Sequence, residues 1–171
     1  MAITLDGSNL TTSGVINSGT AVTASGTSVD FTIPTGAKRI TVMFSGVSTN
    51  GTAGLLAQLG DSGGIETTGY TGMRGSTDTA SAASASSFTA GLGFANFSQA
   101  ADTINGNIVF TNISGNTWTG SGVVARNSAT TGALISSATT KTLSDTLTQL
   151  RITATNGTDT FDAGTINILY E

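Results

Sequence analysis

Apolar and polar residues alternate along much of the chain, and this alternation predicts β-strands. Residues 28–33 place Val29, Phe31 and Ile33 at every second position, and residues 39–45 repeat the pattern. Successive side chains of a strand point to opposite faces of a sheet, so a period of two indicates a strand with one buried face. Similar runs predict strands at 53–60, 88–97, 138–143, 147–155 and 163–170, and two more within 103–126 around a turn at 114–116.

Turn residues separate these runs, and no segment has the 3.6-residue period of an amphipathic helix. Asn50 and Gly51 form a dipeptide that favours a hairpin turn. Residues 61–87 are rich in Gly, Ser and Thr, and we predict that they are mostly loop, with a short strand at 65–70. Eight or more short strands with frequent turns are typical of an antiparallel β-sandwich. We therefore predict an all-β fold, an antiparallel β-sandwich with a jelly-roll topology.

The two ends of the chain differ in their pattern. Apolar residues are too sparse in residues 1–27 to build a core of their own. We predict that residues 1–27 are an extended N-terminal arm for docking or oligomer contacts, and that residues 28–171 are the β-sandwich domain. At the other end the alternation continues to Tyr170. This predicts that the last strand is well paired and that the C-terminus is tied into a sheet.

Composition supports a folded domain with few charges. Charged residues are 9% of the chain, against about 25% in an average soluble protein. Leu, Ile, Val and Phe account for 38 of 171 residues, which is above the level of about 20% below which disorder is expected. The formal net charge of −4 is also too small to hold the chain open.

The residue types exclude several kinds of site. The chain has no Cys and no His, which removes disulfides, thiolate chemistry and the commonest zinc ligand. Six Lys and Arg residues against ten acidic ones do not supply the clustered cations of a nucleic-acid surface. No stretch reaches the roughly 20 apolar residues of a membrane span, and the start lacks the pattern of a classical signal peptide. We predict no cofactor, no nucleic-acid binding and no membrane insertion.

Acidic residues offer the remaining routes to catalysis or metal binding. A glycosidase needs two carboxyl groups about 5–10 Å apart, but most of the ten acids lie in predicted turns, where they bond backbone amides. Asp159 and Asp162, with Asn156 nearby, offer oxygen ligands for Ca²⁺, although their spacing matches no EF-hand loop. A hairpin connection explains the same residues more simply. We therefore predict no catalytic residue and no metal site.

Two aromatic residues are candidates for ligand stacking. Trp118 and Tyr70 carry ring faces that suit the apolar surfaces of sugars, and a carbohydrate site requires one of them to be exposed. A lone Trp in a β-sandwich is more often part of the core or of an interface. Both readings stay open at the level of sequence.

Several strings resemble a family of viral proteins. KRITVMFSGVSTNGT (38–52), LGDSGGIETTGY (59–70) and LRITATNGTDTFDAGTINILYE (150–171) look like a domain found in structural proteins of tailed bacteriophages. The opening MAITLDGSNLTTSGVINSGTAV (1–22) is similar to the start of many phage fibre-type proteins. The resemblance covers about residues 1–70 and 147–171. It implies an all-β virion component that is often a homotrimer, and it brings no catalytic residue with it.

These observations lead to one expected function and two alternatives. We expect a non-enzymatic structural component of a tailed-phage virion, a homo-oligomer with three copies, anchored to other capsid or tail proteins through residues 1–27. Because a long shaft is missing, the resemblance favours a short fibre or appendage, or a capsid-decoration protein. One alternative is a carbohydrate- or receptor-binding module at the host-facing surface of a fibre. The other is a small glycosidase with two close carboxylates.

Overall fold

The chain folds as an all-β protein built from two antiparallel sheets. The computed structural model describes residues 15–80 and 83–171, and these contain strands, turns and no helix. The strands are β1 (Asn17–Ser18), β2 (Val22–Thr23), β3 (Ser28–Thr32), β4 (Arg39–Thr49), β5 (Leu55–Asp61), β6 (Gly64–Ile65), β7 (Thr71–Asp78), β8 (Ser84–Phe88), β9 (Leu92–Ala95), β10 (Thr103–Ser114), β11 (Thr117–Asn127), β12 (Ala133–Thr142), β13 (Gln149–Ala154) and β14 (Phe161–Tyr170).

The two sheets differ in size and order. The large sheet runs β1-β14-β4-β10-β11-β12-β7-β8, and β2 also pairs with β14. The small sheet runs β3-β13-β5-β6, and β9 pairs with β5. This arrangement confirms the predicted all-β, sandwich-like class. The jelly-roll topology stays a prediction.

The longest hairpin is the one that the sequence indicated around residues 114–116. Strands β10 and β11 pair along almost their whole length, from Thr103 with Asn127 to Ser114 with Thr117. Gly115 lies in the turn at φ 50°, a left-handed conformation that costs glycine little. The inward apolar side chains of this hairpin, among them Ile108 and Phe110, are buried. The two-residue period therefore predicted both the pairing and the buried face.

The core lies between the two sheets. Strand β9 of the small sheet packs against the inner side of the large sheet and enlarges this core. Strand β9 pairs with β5 in the small sheet and also packs against β7, β11 and β12. Its Phe94 is 1% exposed and stacks on Phe44 of β4, with ring centroids 4.7 Å apart. Because β9 contacts both sheets, it covers inward-facing positions of β7, β11 and β12.

The C-terminal strand is paired on both sides. Strand β14 lies between β4 and the short strands β1 and β2. The carbonyl of Glu171 accepts hydrogen bonds from the amides of Lys38 and Arg39, at 2.6 and 3.0 Å. The prediction of a well-paired final strand is confirmed, and two-sided pairing explains why the alternation persists to Tyr170.

Part of the predicted arm runs along the edge of the large sheet. Strands β1 and β2 pair with β14, and the Gly19 amide donates to the Ile168 carbonyl at 2.8 Å. Gly26 makes a further antiparallel bridge with Phe161. Residues 1–14 of the predicted arm lie outside the described residues.

The prediction that residues 61–87 are mostly loop is wrong. Strands β6 and β7 lie within this segment, and so do the first four residues of β8. Strand β7 has the sequence TGMRGSTD and β8 the sequence SASSF, so neither has a run of alternating apolar residues. Their strand structure comes from pairing with β12 and with each other, which a local pattern does not reveal.

Replacing Phe94 should reveal how much the core depends on β9. We expect Phe94→Ala to lower the free energy of unfolding by about 3–5 kcal/mol, because it removes a buried ring and leaves a cavity between the sheets. Ile113→Ala is the control, since Ile113 is 63% exposed, and it should change stability by less than about 0.5 kcal/mol. Urea denaturation measures both. Equal losses in the two variants would contradict the described packing.

Candidate functional site

The outward-facing side of the large sheet is a broad surface without charge at its centre. Directly paired residues of an antiparallel sheet share a face, so the register defines rows across the strands. One row crosses seven strands, in the order Leu169, Thr41, Val109, Ser121, Ala138, Met73 and Ser87. The next row is Asn167, Met43, Asn107, Val123, Ser136, Gly75 and Ala85. We call this surface the outer face.

Several apolar side chains of the outer face are exposed. Met73 is 56% exposed, Val123 50% and Leu134 60%. A further row consists of Arg39, Thr111, Thr119, Thr140 and Thr71. Arg39 is the charged member of these rows, and its guanidinium lies 3.2 Å from the Glu171 carboxylate. The outer face therefore combines small uncharged side chains with a few exposed apolar ones.

The cations of β7, β11 and β12 point to the inner side of the large sheet, away from the outer face. Arg74 on β7, Arg126 on β11 and Lys141 on β12 occupy inward positions of the pleat. The Arg74 guanidinium donates to the Ala95 carbonyl at 2.5 Å and lies 5.0 Å from the centre of the Phe88 ring. Burial lowers the pKa of Arg74 from its usual value, and Arg126 contributes in the same direction. Half of the six cations of the chain are thus directed away from the outer face.

Arg126 belongs to a buried ionic cluster at one end of the large sheet. Its Nε lies 3.6 Å from Asp102, which is fully buried, and its Nη2 lies 3.3 Å from Asp78. Ser98 donates two hydrogen bonds of 2.7 Å to the Asp102 carboxylate, from its amide and its hydroxyl. Burial raises the pKa of Asp102, but hydrogen bonds from Ser128 and Ser98 outweigh it and lower the pKa overall. The lowered pKa keeps the buried Asp102 carboxylate ionised beside Arg126.

A second cluster brings two carboxylates close together. The Ser144 hydroxyl lies 2.6 Å from a carboxylate oxygen of Asp61 and 2.8 Å from one of Glu66. Lys141 forms an ion pair with Glu66, donates to the Thr68 carbonyl at 2.9 Å and lies 5.3 Å from the Tyr70 ring centre. The glycosidase alternative required two close carboxylates, and Asp61 and Glu66 are such a pair.

The protonation state of this pair does not suit glycosidase chemistry. The Ser144 hydroxyl and the Gly63 amide lower the pKa of Asp61 from its usual value. Burial raises the pKa of Glu66, but hydrogen bonds from Lys141 and Ser144 outweigh it and lower the pKa overall. A general acid needs a raised pKa so that it carries a proton near neutral pH. Both carboxylates are ionised there, and their contacts join β5 to the loop after β12.

The candidate calcium ligands are used by turns. One Asp159 oxygen accepts the Asn156 side-chain amide at 2.7 Å, and the other accepts the Ala53 backbone amide at 3.0 Å. Asp162 accepts a hydrogen bond from Ser48. A Cβ at Gly51 would overlap the Asp159 carboxylate, so that glycine makes room for the contact. Within residues 15–80 and 83–171, no three acidic side chains gather into a group that could hold a metal ion.

The two aromatic candidates are both buried. Tyr70 is 2% exposed and Trp118 is 3% exposed. The Tyr70 hydroxyl accepts the Leu59 amide at 2.6 Å, and burial raises the pKa of this phenol. Trp118 lies opposite Lys141 on the inward side of the large sheet and belongs to the core. Neither ring has the exposure that a sugar-stacking site requires, and packing in the core explains both.

Comparison with known proteins gives no relative for the chain. No protein-family model, curated protein or solved structure matches it.

None of the described residues forms a helix that is long and apolar enough to span a lipid bilayer.

Ser144→Ala tests the role of the carboxylate cluster. A folded-state pKa below the unfolded value stabilises the fold above about pH 4, and this stability is lost as the pH falls through the folded-state pKa. Without the Ser144 hydroxyl both pKa values rise towards those of the unfolded chain. We expect the variant to be less stable than wild type near pH 7 and equal to it near pH 2. Urea denaturation across this range measures the difference.

Thr146→Ala is the matched control, because Thr146 is an exposed residue of the same loop. It should leave the pH dependence of stability unchanged. A stability difference for Ser144→Ala that is constant across the pH range would show that the hydroxyl does not act on the carboxylates.

Proposed function

We propose that the chain is a non-enzymatic structural component of a tailed-phage virion, either a short fibre or appendage or a capsid-decoration protein. It works as a homo-oligomer, with three copies as the sequence resemblance implies, and resides in the virion. The observation that carries the proposal is the outer face, which extends over seven strands with charge only at its margin.

An uncharged face suits permanent contact with another protein surface. The centres of protein interfaces are depleted in charged residues, because removing a charge from water is costly unless it is paired. The cations of β7, β11 and β12 have their hydrogen-bond and ion-pair partners inside the protein, so covering the outer face removes none of these contacts. Small side chains such as Ser121, Ala138 and Gly75 also allow a neighbour to approach the sheet closely.

The proposed anchor to other virion proteins lies in the predicted arm, residues 1–27. Residues 17–23 already pair with β14 of the same chain, so this part of the arm belongs to the sheet edge. Just before them, Val15 is 54% exposed and Ile16 is 64% exposed. Two neighbouring exposed apolar residues favour a contact with another virion protein here.

The ionic clusters fit a structural role better than turnover. Asp61, Glu66 and Asp102 are ionised and engaged with side chains of other loops and strands. The carbohydrate-binding alternative relied on an exposed ring at Trp118 or Tyr70, and both are buried. The described contacts thus favour persistence and assembly over a reaction or a sugar site.

Val123→Asp tests the outer face directly. Val123 is half-exposed at the centre of the face, so the monomer should fold with little change in stability. A carboxylate at this position would have to be buried in the assembled interface, so we expect loss of the oligomer and of incorporation into particles. Light scattering gives the mass in solution, and quantitative mass spectrometry of purified particles gives the copy number.

Thr35→Asp is the control, since it adds the same charge at an exposed position between β3 and β4. It should assemble like wild type. The proposal is rejected if wild type remains monomeric at every concentration and is missing from purified particles. A monomer that binds glycans on an array would support the carbohydrate-binding alternative instead.

A further inference from the structure

Strand β8 is a free edge of the large sheet. Its residues Ser84–Phe88 pair with β7 on one side, and the described residues provide no strand on the other. Residues 84–87 are exposed, and none of the five carries a charge. The outward-pointing backbone N–H and C=O groups of such a strand can bond a further strand.

The other sheet edges carry features that oppose strand addition. The edge strand β3 holds Asp30, which forms two hydrogen bonds of 2.7 Å with Arg151, and Pro34 follows it. Natural proteins protect edges with charges, prolines, short strands or a cover. Strands β1, β2 and β6 have only two residues each, and β9 is fully buried against the large sheet. Among the described strands, β8 combines exposure, five residues and no protecting group.

We propose that β8 pairs antiparallel with β8 of a second copy of this chain, so that two large sheets join into one. This inference deepens the proposed function, on which it rests, by naming a contact through which copies join. It adds a two-fold contact to the three-fold one that the resemblance implies, so an assembly of six copies would contain both.

The chemistry of the edge favours a copy of the chain over a charged partner. An antiparallel pair of SASSF segments sets small uncharged residues against each other and places no like charges opposite. The nearest acid along the chain, Asp78, is the last residue of β7; it lies on the inward side of the sheet and pairs with Arg126. The protein as a whole has a net charge of −4, so this edge is a place where two copies can meet without repulsion.

The length of β8 limits where the two-fold axis can lie, because an axis at Ala85, Ser86 or Ser87 pairs at least three residues of each strand. Gly75 pairs with Ala85, Arg74 with Ser86, and Met73 with Ser87. An axis at one of these β8 positions sets that residue opposite its own copy, with Cβ atoms about 4.5–5.5 Å apart. Only the residue at the axis meets itself in this way, so a scan of three positions reads out the register.

Single-cysteine variants of the full chain test the contact, because the natural sequence has no Cys and gives no background. Ala85→Cys, Ser86→Cys and Ser87→Cys are oxidised and separated on a denaturing gel. We expect one of the three to form a covalent dimer at least fivefold more completely than the other two. Thr32→Cys is the matched control on the edge strand β3, and it should remain monomeric on the gel.

A second variant tests the β8 contact without covalent cross-linking. Ser86→Lys puts an ammonium group at the edge, and we expect the mass in solution to fall by half while the thermal midpoint stays within a few degrees of wild type. Thr32→Lys should leave the mass unchanged. Agreement of the cross-link with this loss of mass supports β8 pairing.

Two results would overturn the inference. One is no cross-link at any of the three positions, and the other is cross-linking equal to that of Thr32→Cys. If the oligomer persists in these cases and is lost in Val123→Asp, the outer face alone carries assembly and the proposed function stands. A wild-type chain that is monomeric and missing from particles removes both proposals.

Discussion

The structure depends on the pleat of the large sheet, which directs alternate side chains to opposite sides. On β7, β11 and β12 the inward positions hold Arg74, Arg126 and Lys141, and the outward positions hold uncharged residues. A shift of one residue in the register would exchange the two sets. It would put the core residues and the three cations on the outer face and separate the cations from their inward partners. The pairing of these strands is therefore what keeps the outer face uncharged.

A buried cation is stable only beside anionic or hydrogen-bonding partners. The loops that carry these partners are therefore held against the sheet. Arg126 needs Asp102 and Asp78, and Asp102 in turn needs the amide and hydroxyl of Ser98. Removing one partner of a buried ion pair leaves an uncompensated charge, which costs about 3–5 kcal/mol. Such clusters contribute little net stability compared with apolar packing. They fix which loop lies against which strand, and they leave charge inside the protein.

The sequence predicted what depends on neighbouring positions and missed what depends on distant ones. Alternation identified β4, β10 and β14, because their apolar positions face the core. It did not identify β7, because the strand structure of β7 is set by its pairing with β12, which is distant in sequence. Asp78, for example, pairs with Ala133. The contact of Ser144 with Asp61 spans 83 residues and leaves no local signal. The burial of Trp118 likewise depends on which sheet face is covered.

Face and edge serve assembly in different ways. A face gives area but little direction, because small uncharged side chains can slide over a neighbour. An edge gives direction, because each backbone hydrogen bond fixes a register, but five residues bury little area. Under the two proposals, the outer face supplies the contact area and β8 sets the direction in which a second copy approaches. The order of the large sheet makes this separation workable, since β8 is its last strand and the outer face continues to that edge.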